Sequence, residues 1–284
     1  MRLGTFRDPD RGLFVGEVDG ERVHVLEAPT MVVWLAGEGR ARTGVELELP
    51  SLTALAPVPD PPSLRDFYSF ERHVEAGARR RGTEIAPYWY EAPAFYFSNP
   101  ASILGPGEPL RRPDATEMLD FELEIAAVIG VPPGGGDGEI AGFTLMNDWS
   151  ARDVQADEVT VGLGPHKAKD FGTSLGPYLV THDDLPYDDG RLKLRGRVEL
   201  NGEELTTSES AEQHFSWPEI VAHAARDTRL RPGDVLGSGT LAGGCLLELG
   251  PLPVEGRPEG RWVEPGDVVA LEADGLGRLQ TPVG

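Results

Sequence analysis

The stretch LDFELEIAAVIG, residues 119–130, constrains this chain more than any other. It reads as a β-strand. Strand side chains alternate between faces, so Phe121, Leu123, Ile125 and Ala127 share one apolar face. Asp120, Glu122, Glu124, Ala126 and Val128 share the other. Glu122 and Glu124 then stand side by side, roughly 7 Å apart at their Cα atoms. The run closes on the apolar AAVIG, which suits a strand buried at that end. Buried carboxylates repel one another and hold their protons more tightly, so a fold that keeps them must supply positive charge.

Around this strand the chain is rich in turn formers. Its 284 residues include 36 glycines and 25 prolines, which implies many short strands. Hydrophobic residues make up 39%, enough for a sizeable core. The formal charge of -21 disfavours nucleic acid and anionic membrane as partners. Cys245 is the only cysteine, so no disulfide forms within the chain. The N-terminal MRLGTFRDPDRG has no apolar leader segment, and no 18-residue apolar run occurs. A cytoplasmic protein is expected. Three lysines stand against 23 arginines, which draws attention to the close pair Lys167 and Lys169.

Residues 1–58 read as a small β domain, with a hairpin at Asp19-Gly20 and a short helix over PTMVVWLAG. The Pro-rich ALAPVPDPPS, residues 54–63, is the expected linker to a second domain, 59–284. A helix is expected over residues 63–81, capped by Ser63 with Asp66 in its first turn and closed by Gly82. PYWYEAPAFYFSNP and PPGGGDGE read as loops. AGFTLMND reads as a strand leading into a helix-like WSARDVQAD. A second hairpin is expected at Asn201-Gly202 and a helix over FSWPEIVAHAARDT. Many strands with few helices argue for a β-rich α+β fold, not a doubly wound sheet.

Four acids stand out from the solvated majority: Asp66, Glu122, Glu124 and Asp148. Carboxylates together with water suit a hard divalent ion in six-fold oxygen coordination, and no Cys/His spacing for zinc is present. Each feature alone also has a plain structural reading. ELE fits a strand with one wet face, Asp66 fits a helix cap, and Asp148 with Arg152 fits an exposed ion pair. The neighbours add weight to the functional reading. Asp148, Arg152 and Gln155 lie at i, i+4 and i+7, one face of a helix if NDWSARDVQ is helical. Asp66 and His73 are seven apart, which on one helix face means about 10.5 Å along the axis.

In chain order, DFYSFERH, LDFELEIA, MNDWSARDVQ, GPHKAKDFG and GSGT with LLELG resemble the fumarylacetoacetate hydrolase family over roughly residues 60–284. The resemblance implies a mixed β-sandwich or β-roll behind the small N-terminal β domain. It implies Mg²⁺ or Ca²⁺, with Mn²⁺ a further candidate, held by Asp66, Glu122, Glu124 and Asp148. His73 falls at the family's general base and Glu248 at the acid that orients it. Arg152, Gln155 and Lys169 fall where the family stabilises developing negative charge, and Tyr68 and Thr240 at substrate contacts. The implied partner is a small diketo or 2-oxo acid, the implied assembly a homodimer, and the implied setting the catabolism of aromatic compounds.

Two departures stand out. GPHKAKDFG is one residue longer than the family spacing. Lys169 keeps the distance to Phe171-Gly172, with Lys167 as the alternative. Arg79, Arg80 and Arg81 follow His73 where the family places a substrate arginine, and the sequence does not select among them. The expected reaction is metal-dependent hydrolysis of a C–C bond in a fumarylacetoacetate-like or acylpyruvate-like 1,3-diketo acid. Decarboxylation, isomerisation or hydration of a related 2-oxo acid is the alternative on the same fold, and a non-catalytic, ion-stabilised binding protein is the third reading.

Overall fold

The computed structural model describes residues 1–131 and 139–284, so the expected PPGGGDGE loop lies, apart from Glu139, outside the described residues. The architecture is β-rich α+β. A mixed sheet of twelve strands, with Thr53–Ala54 beside Arg2–Asp8 and Ile103–Leu104 beside Thr173–Val180 off its main path, runs from Arg42–Glu48 at one edge through Arg22–Leu26, Gly12–Asp19, Arg2–Asp8, Thr173–Val180 and Ile140–Asp148. It continues through Leu123–Ile129, Val235–Gly237 and Leu64–Phe67 to Phe95–Ser98. A four-stranded sheet of Glu203–Glu209, Arg195–Leu200, Val268–Ala273 and Gly277–Pro282 packs against it. The helices are α1 (Met31–Leu35), α2 (Glu71–Arg81), α3 (Arg152–Glu158), α4 (Trp217–Ala225) and α5 (Leu246–Leu249). Among the described residues no helix is long and apolar enough to cross a membrane.

Strand Leu123–Ile129 lies at the centre and is buried on both faces. Ile125 and Ala127 pack with Phe143 and Leu145 and with Val198 and Leu271 of the smaller sheet. Ala126 and Val128 pack on the opposite face with Trp34 and Leu35 of α1. Doubly buried strands carry near-continuous apolar runs, which explains AAVI. The stretch 119–130 is not one strand, however. Leu119–Asp120 pairs with Ser150–Ala151, and Leu123–Ile129 with Ile140–Asp148. The junction between them is held by Glu122 N–H donating to Asn147 Oδ1 at 2.9 Å.

Both hairpins form as expected, with Asn201 and Gly202 at φ 54° and 84°. Helix α4 starts on a capping box of Ser216 and Glu219.

The helix expected from residue 63 is corrected. Leu64–Phe67 is a strand with every residue buried, and the helix begins only at Glu71. Tertiary pairing overrides the capping pattern here. The strand lies parallel to Val235–Gly237 and antiparallel to Phe95–Ser98, and Ser63 Oγ donates to Asp234 Oδ1 instead of capping a helix. Gly82, at φ 66°, does close α2. The loop expected at AFYFS is likewise the edge strand Phe95–Ser98.

The Pro-rich segment is packed rather than tethering. Leu55, Ala56 and Val58 are buried, and Thr5 donates to the Pro57 carbonyl at 2.7 Å. Arg2–Asp8 pairs with Thr173–Val180, which joins the first strands to the main sheet. We propose residues 1–58 and 59–284 as the two units of the chain, the second depending on the first for a sheet neighbour. A fragment of residues 59–284 alone is therefore expected to aggregate or to melt well below the full chain, as judged by size-exclusion chromatography and circular dichroism. A soluble fragment with the full-length Tm would contradict this.

Candidate active site and metal centre

Strand ends on one side of the large sheet bring the four acids together. Asp66 pairs in register with Gly237, and Gly237 with Ala126, two residues from Glu124 on the same face. Asp148 ends the neighbouring strand. One carboxylate oxygen from each of Asp66, Glu122, Glu124 and Asp148 lies within 4.8 Å of the others, and all four residues are buried. Gly237 makes this approach possible. A Cβ there would meet Met146 Cε at 2.3 Å and Asp66 Oδ1 at 2.5 Å. Gly239, at φ 81°, donates its N–H to Asp66 Oδ1 (3.3 Å) and Glu124 Oε2 (3.1 Å). Thr240 Oγ1 lies 3.4 Å from Glu124 Oε1.

Two buried cations face the cage. Lys169 Nζ lies 2.5 Å from both Glu122 Oε2 and Asp148 Oδ2. Arg152 donates to Glu122 Oε1 at 2.7 Å and to Asp120 Oδ2 at 2.8 Å. Burial works to raise the pKa of Glu122, but Lys169, Arg152 and His73 outweigh it and hold this acid below the usual carboxylate range. Burial and the neighbouring Asp148 push Asp66 well up. Burial and the neighbouring Asp66 do the same to Glu124. Four acids against two cations, one of them shared with Asp120, leave the cage short of positive charge. Asp148 Oδ1 is buried without a hydrogen-bond partner among the described residues. An all-oxygen donor set with uncompensated charge and an unpartnered oxygen fits a hard divalent ion.

His73, in the first turn of α2, stands beside the cage. Its Nδ1 is 2.8 Å from Glu248 Oε1 and its Nε2 is 3.6 Å from Glu122 Oε1. Glu248 is itself held, its Oε2 accepting from Gly243 N–H at 2.8 Å. With Glu248 ionised, Nδ1 carries the proton and Nε2 keeps its lone pair. Tyr68 packs edge-on against the imidazole at 5.4 Å. Cys245 Sγ lies 3.7 Å from both Nδ1 and Glu248 Oε1.

A cavity of about 650 Å³ opens onto this assembly. Of the residues expected from the sequence, all but Asp148 and Glu248 line it; those two lie behind the lining. Lys169 is in the cage, whereas Lys167 pairs with Asp170 at the surface. Arg80 and Arg81 line the cavity, and Arg79 pairs with Glu75 outside it.

Two expected geometries are corrected. Asp148 and Arg152 are not on one helix face, because Asp148 ends a strand and α3 starts at Arg152. Arg152 turns instead to Asp120 and Glu122, keeping only Gln155 as a helical neighbour, at 3.1 Å from Nη1. Asp66 and His73 share no helix; they meet across a strand end and a helix start.

Two residues of the site escape sequence reasoning. Tyr96 donates its hydroxyl to Asp148 Oδ2, and the alternation of AFYFS is the signal that sets it apart from Phe95 and Phe97. Asp120 ends the short strand Leu119–Asp120, apart from the strand that carries Glu124, and nothing local in the sequence names its partners.

Residues 64–284 match the family described as fumarylacetoacetate (FAA) hydrolase C-terminal. The chain belongs to the fumarylacetoacetate hydrolase family. It is 33% identical to fumarylacetoacetase of Bos taurus, over 75% of this chain and 66% of that one. It is also 33% identical to fumarylacetoacetase of Arabidopsis thaliana, over 72% and 63%. The chain thus spans a little under two thirds of these curated relatives. A solved structure titled 5-carboxymethyl-2-hydroxymuconate delta-isomerase, from Mycobacterium smegmatis, matches with a TM-score of 0.73 at 27% identity, covering 100% of this chain and 99% of that chain. Enzymes of the fumarylacetoacetate hydrolase family use divalent metals, and the buried acids here form a cage suited to one.

The raised acids give stability a definite pH dependence. Asp66 and Glu124 keep protons in the fold that the unfolded chain gives up near pH 4 to 4.5. Their contribution is complete below that range and is lost as pH rises through their folded values. Glu122, shifted the other way, changes stability only at or below that range. Metal-free protein should therefore weaken from about pH 5 to 8. Because metal must displace these protons, Mg²⁺ should raise the Tm more at pH 8 than at pH 6. At a hundredfold excess over Kd the gain is about 2.7 kcal/mol, a rise of roughly 5–10 °C. Melting curves in EDTA and in Mg²⁺ test this, and an equal shift at both pH values would refute it. Separately, Glu124→Gln should weaken Mg²⁺ binding by at least the roughly 10–100-fold that losing a supporting group costs. Calorimetry reads this directly.

Proposed function

We propose that this protein is a divalent-metal-dependent hydrolase that cleaves a C–C bond in a fumarylacetoacetate-like or acylpyruvate-like 1,3-diketo acid. The observation that carries the reading is the His73–Glu248 pair, 2.8 Å apart, beside the carboxylate cage. A hydrolase must activate water, and an imidazole with one nitrogen held by a carboxylate and the other free to accept is built for that step. We further propose Mg²⁺ or Ca²⁺ as the ion, with Mn²⁺ as a substitute, and a homodimer in the cytoplasm acting in aromatic catabolism.

Asp66, Glu122, Glu124 and Asp148 would hold the ion, which supplies Lewis acidity toward the two oxygens of a 1,3-diketone. His73 Nε2 takes a proton from water as its oxygen bonds to the acyl carbonyl carbon. Glu248 stabilises the resulting imidazolium. The carbonyl oxygen becomes negative, and Arg152 Nη1, Gln155 and Lys169 are the groups able to face it. The C–C bond then breaks, its electron pair leaving as the enolate of the remaining oxo acid. The proton on His73 is available to that carbon, so the products are a carboxylic acid and an oxo acid, a 3-oxo acid from a fumarylacetoacetate-like substrate and a 2-oxo acid from an acylpyruvate. Tyr68 and Thr240 shape the walls around the substrate, and Arg80 and Arg81 offer positive charge to a substrate carboxylate.

A second reading, isomerisation or decarboxylation of a related 2-oxo acid, draws support from the mycobacterial isomerase, which this chain matches over nearly its whole length. In that reading His73 would move a proton between carbons rather than from water. A panel of diketo and 2-oxo acids, followed by loss of diketo absorbance with mass spectrometry of products, separates the two. Hydrolysis adds water to the summed product mass, isomerisation leaves the mass unchanged, and decarboxylation removes CO₂. His73→Ala should lower kcat by about 10²–10⁴-fold while Mg²⁺ affinity stays near that of the wild type. A near-normal rate would remove His73 from the base role.

A further inference from the structure

We propose that Asp120 is a positioning residue that locks Arg152 and Glu248 into one rigid unit, so that the anion-stabilising side and the base side of the site are set by a single buried carboxylate. Asp120 is fully buried yet outside the cavity lining, so it does not reach substrate. Its Oδ2 accepts from Arg152 Nε (2.8 Å) and lies 2.8 Å from Nη2. The same oxygen accepts from Leu247 N–H at 2.9 Å, while Oδ1 accepts from Leu246 N–H at 2.8 Å.

The last two bonds fall at the start of α5, the single turn that carries Glu248. Cys245, at the N-cap position, makes no side-chain cap bond. A helix start leaves backbone N–H groups unsatisfied, and buried ones are costly. Asp120 fills that need from a distant strand. Four-residue α5 has little stability of its own, so the placement of Glu248 against His73 Nδ1 depends on this anchor. On the other side, Asp120 and Glu122 occupy Arg152 Nε and Nη2, and Gln155 takes one bond from Nη1. The remaining N–H of Nη1 is the one left to face the cavity. Asp120 thereby selects which edge of the guanidinium meets substrate.

Asp120→Asn is nearly isosteric but sets an amide NH₂ against at least one donor and removes the charge beside Arg152. The kinetic arm of the test rests on the reaction proposed above. With a substrate that the wild type turns over, D120N should lower kcat roughly 10–100-fold, the range seen when a group behind a functional residue is lost. KM should change by less than about threefold. D120N/E248Q should be no more than about threefold slower than E248Q, because both changes remove the same placement of His73. A D120N rate within about twofold of wild type, or fully additive losses in the double variant, would overturn the proposal. Mg²⁺ binding by D120N should match the wild type in calorimetry; its loss would make Asp120 part of the cage's integrity and overturn the proposal too.

If the wild type turns over no such acid, the reading of function falls and the positioning role is still decided by hydrogen exchange. The Arg152 Nε–H and the Leu246 and Leu247 amides should exchange slowly in the wild type and quickly in D120N. Fast exchange in the wild type overturns the proposal, and that measurement stands even if D120N does not fold.

Discussion

The structure depends on a surplus of negative charge in a dry place. Four carboxylates are buried at the ends of adjacent strands, and among the described residues only Lys169 and Arg152 pair with them as buried lysine or arginine counter-ions. Water would screen such a cluster at the surface, but desolvation here favours neutral forms. Both cations reach Glu122, which they hold below the usual carboxylate range, while Lys169 is shared with Asp148 and Arg152 with Asp120. Burial and their acidic neighbours push Asp66 and Glu124 well above that range instead. Of the four acids, Glu122 alone is shifted down, and Asp66, Glu124 and Asp148 are shifted up by burial.

Much of the scaffold follows from the need to hold that cluster still. Breaking one ion pair in a buried network leaves an uncompensated charge, which costs far more than the intact pair contributes. Asp66, Glu124 and Asp148 accordingly sit on strands of the large sheet, and Glu122 immediately precedes Leu123–Ile129. Close approach of three strands is allowed by Gly237, where any side chain would collide with Asp66. The positive φ of Gly239 turns its N–H toward both Asp66 and Glu124. The bonds of Tyr96 and Lys169 to Asp148 Oδ2 leave Oδ1 as the unpartnered oxygen of that residue.

The residues of the site were legible in the sequence because their chemistry is unusual: paired glutamates in a strand, and a lysine in a chain nearly free of lysine. Their geometry was less so. Asp66 reads as a helix-cap acid because Ser-x-x-Asp before an apolar run is a local signal. Its strand exists only through pairing with residues 235–237 and 95–98, a long-range fact that no local window contains. The spacing of Asp148, Arg152 and Gln155 looked like one helix face for the same reason, while the pull of Asp120 and Glu122 nearby decides where Arg152 turns. Both hairpins, by contrast, were readable, since Asp-Gly and Asn-Gly determine the turn within two residues.

Chemistry and selectivity are carried by different parts of the molecule. The groups proposed to hold the ion, move the proton and face the anion come from strands, from the first turn of helices and from Lys169, and they are buried and cross-linked. The far wall of the cavity is supplied by other segments, including Arg80 and Arg81 at the end of α2 and Leu163, Gly164 and Pro165 beyond α3. Leu163 is 81% exposed, and nothing in the cage restrains it. A change in these segments can alter which acid enters without disturbing the charge balance of the cage. That separation explains how relatives of one fold can bear the names of a hydrolase and an isomerase. On either proposed reading, Asp66, Glu122, Glu124 and Asp148 would hold the ion, and Lys169 and His73 would keep the same roles beside it. In the proposed reaction the shape of that wall would decide whether a water or a carbon lies next to His73 Nε2.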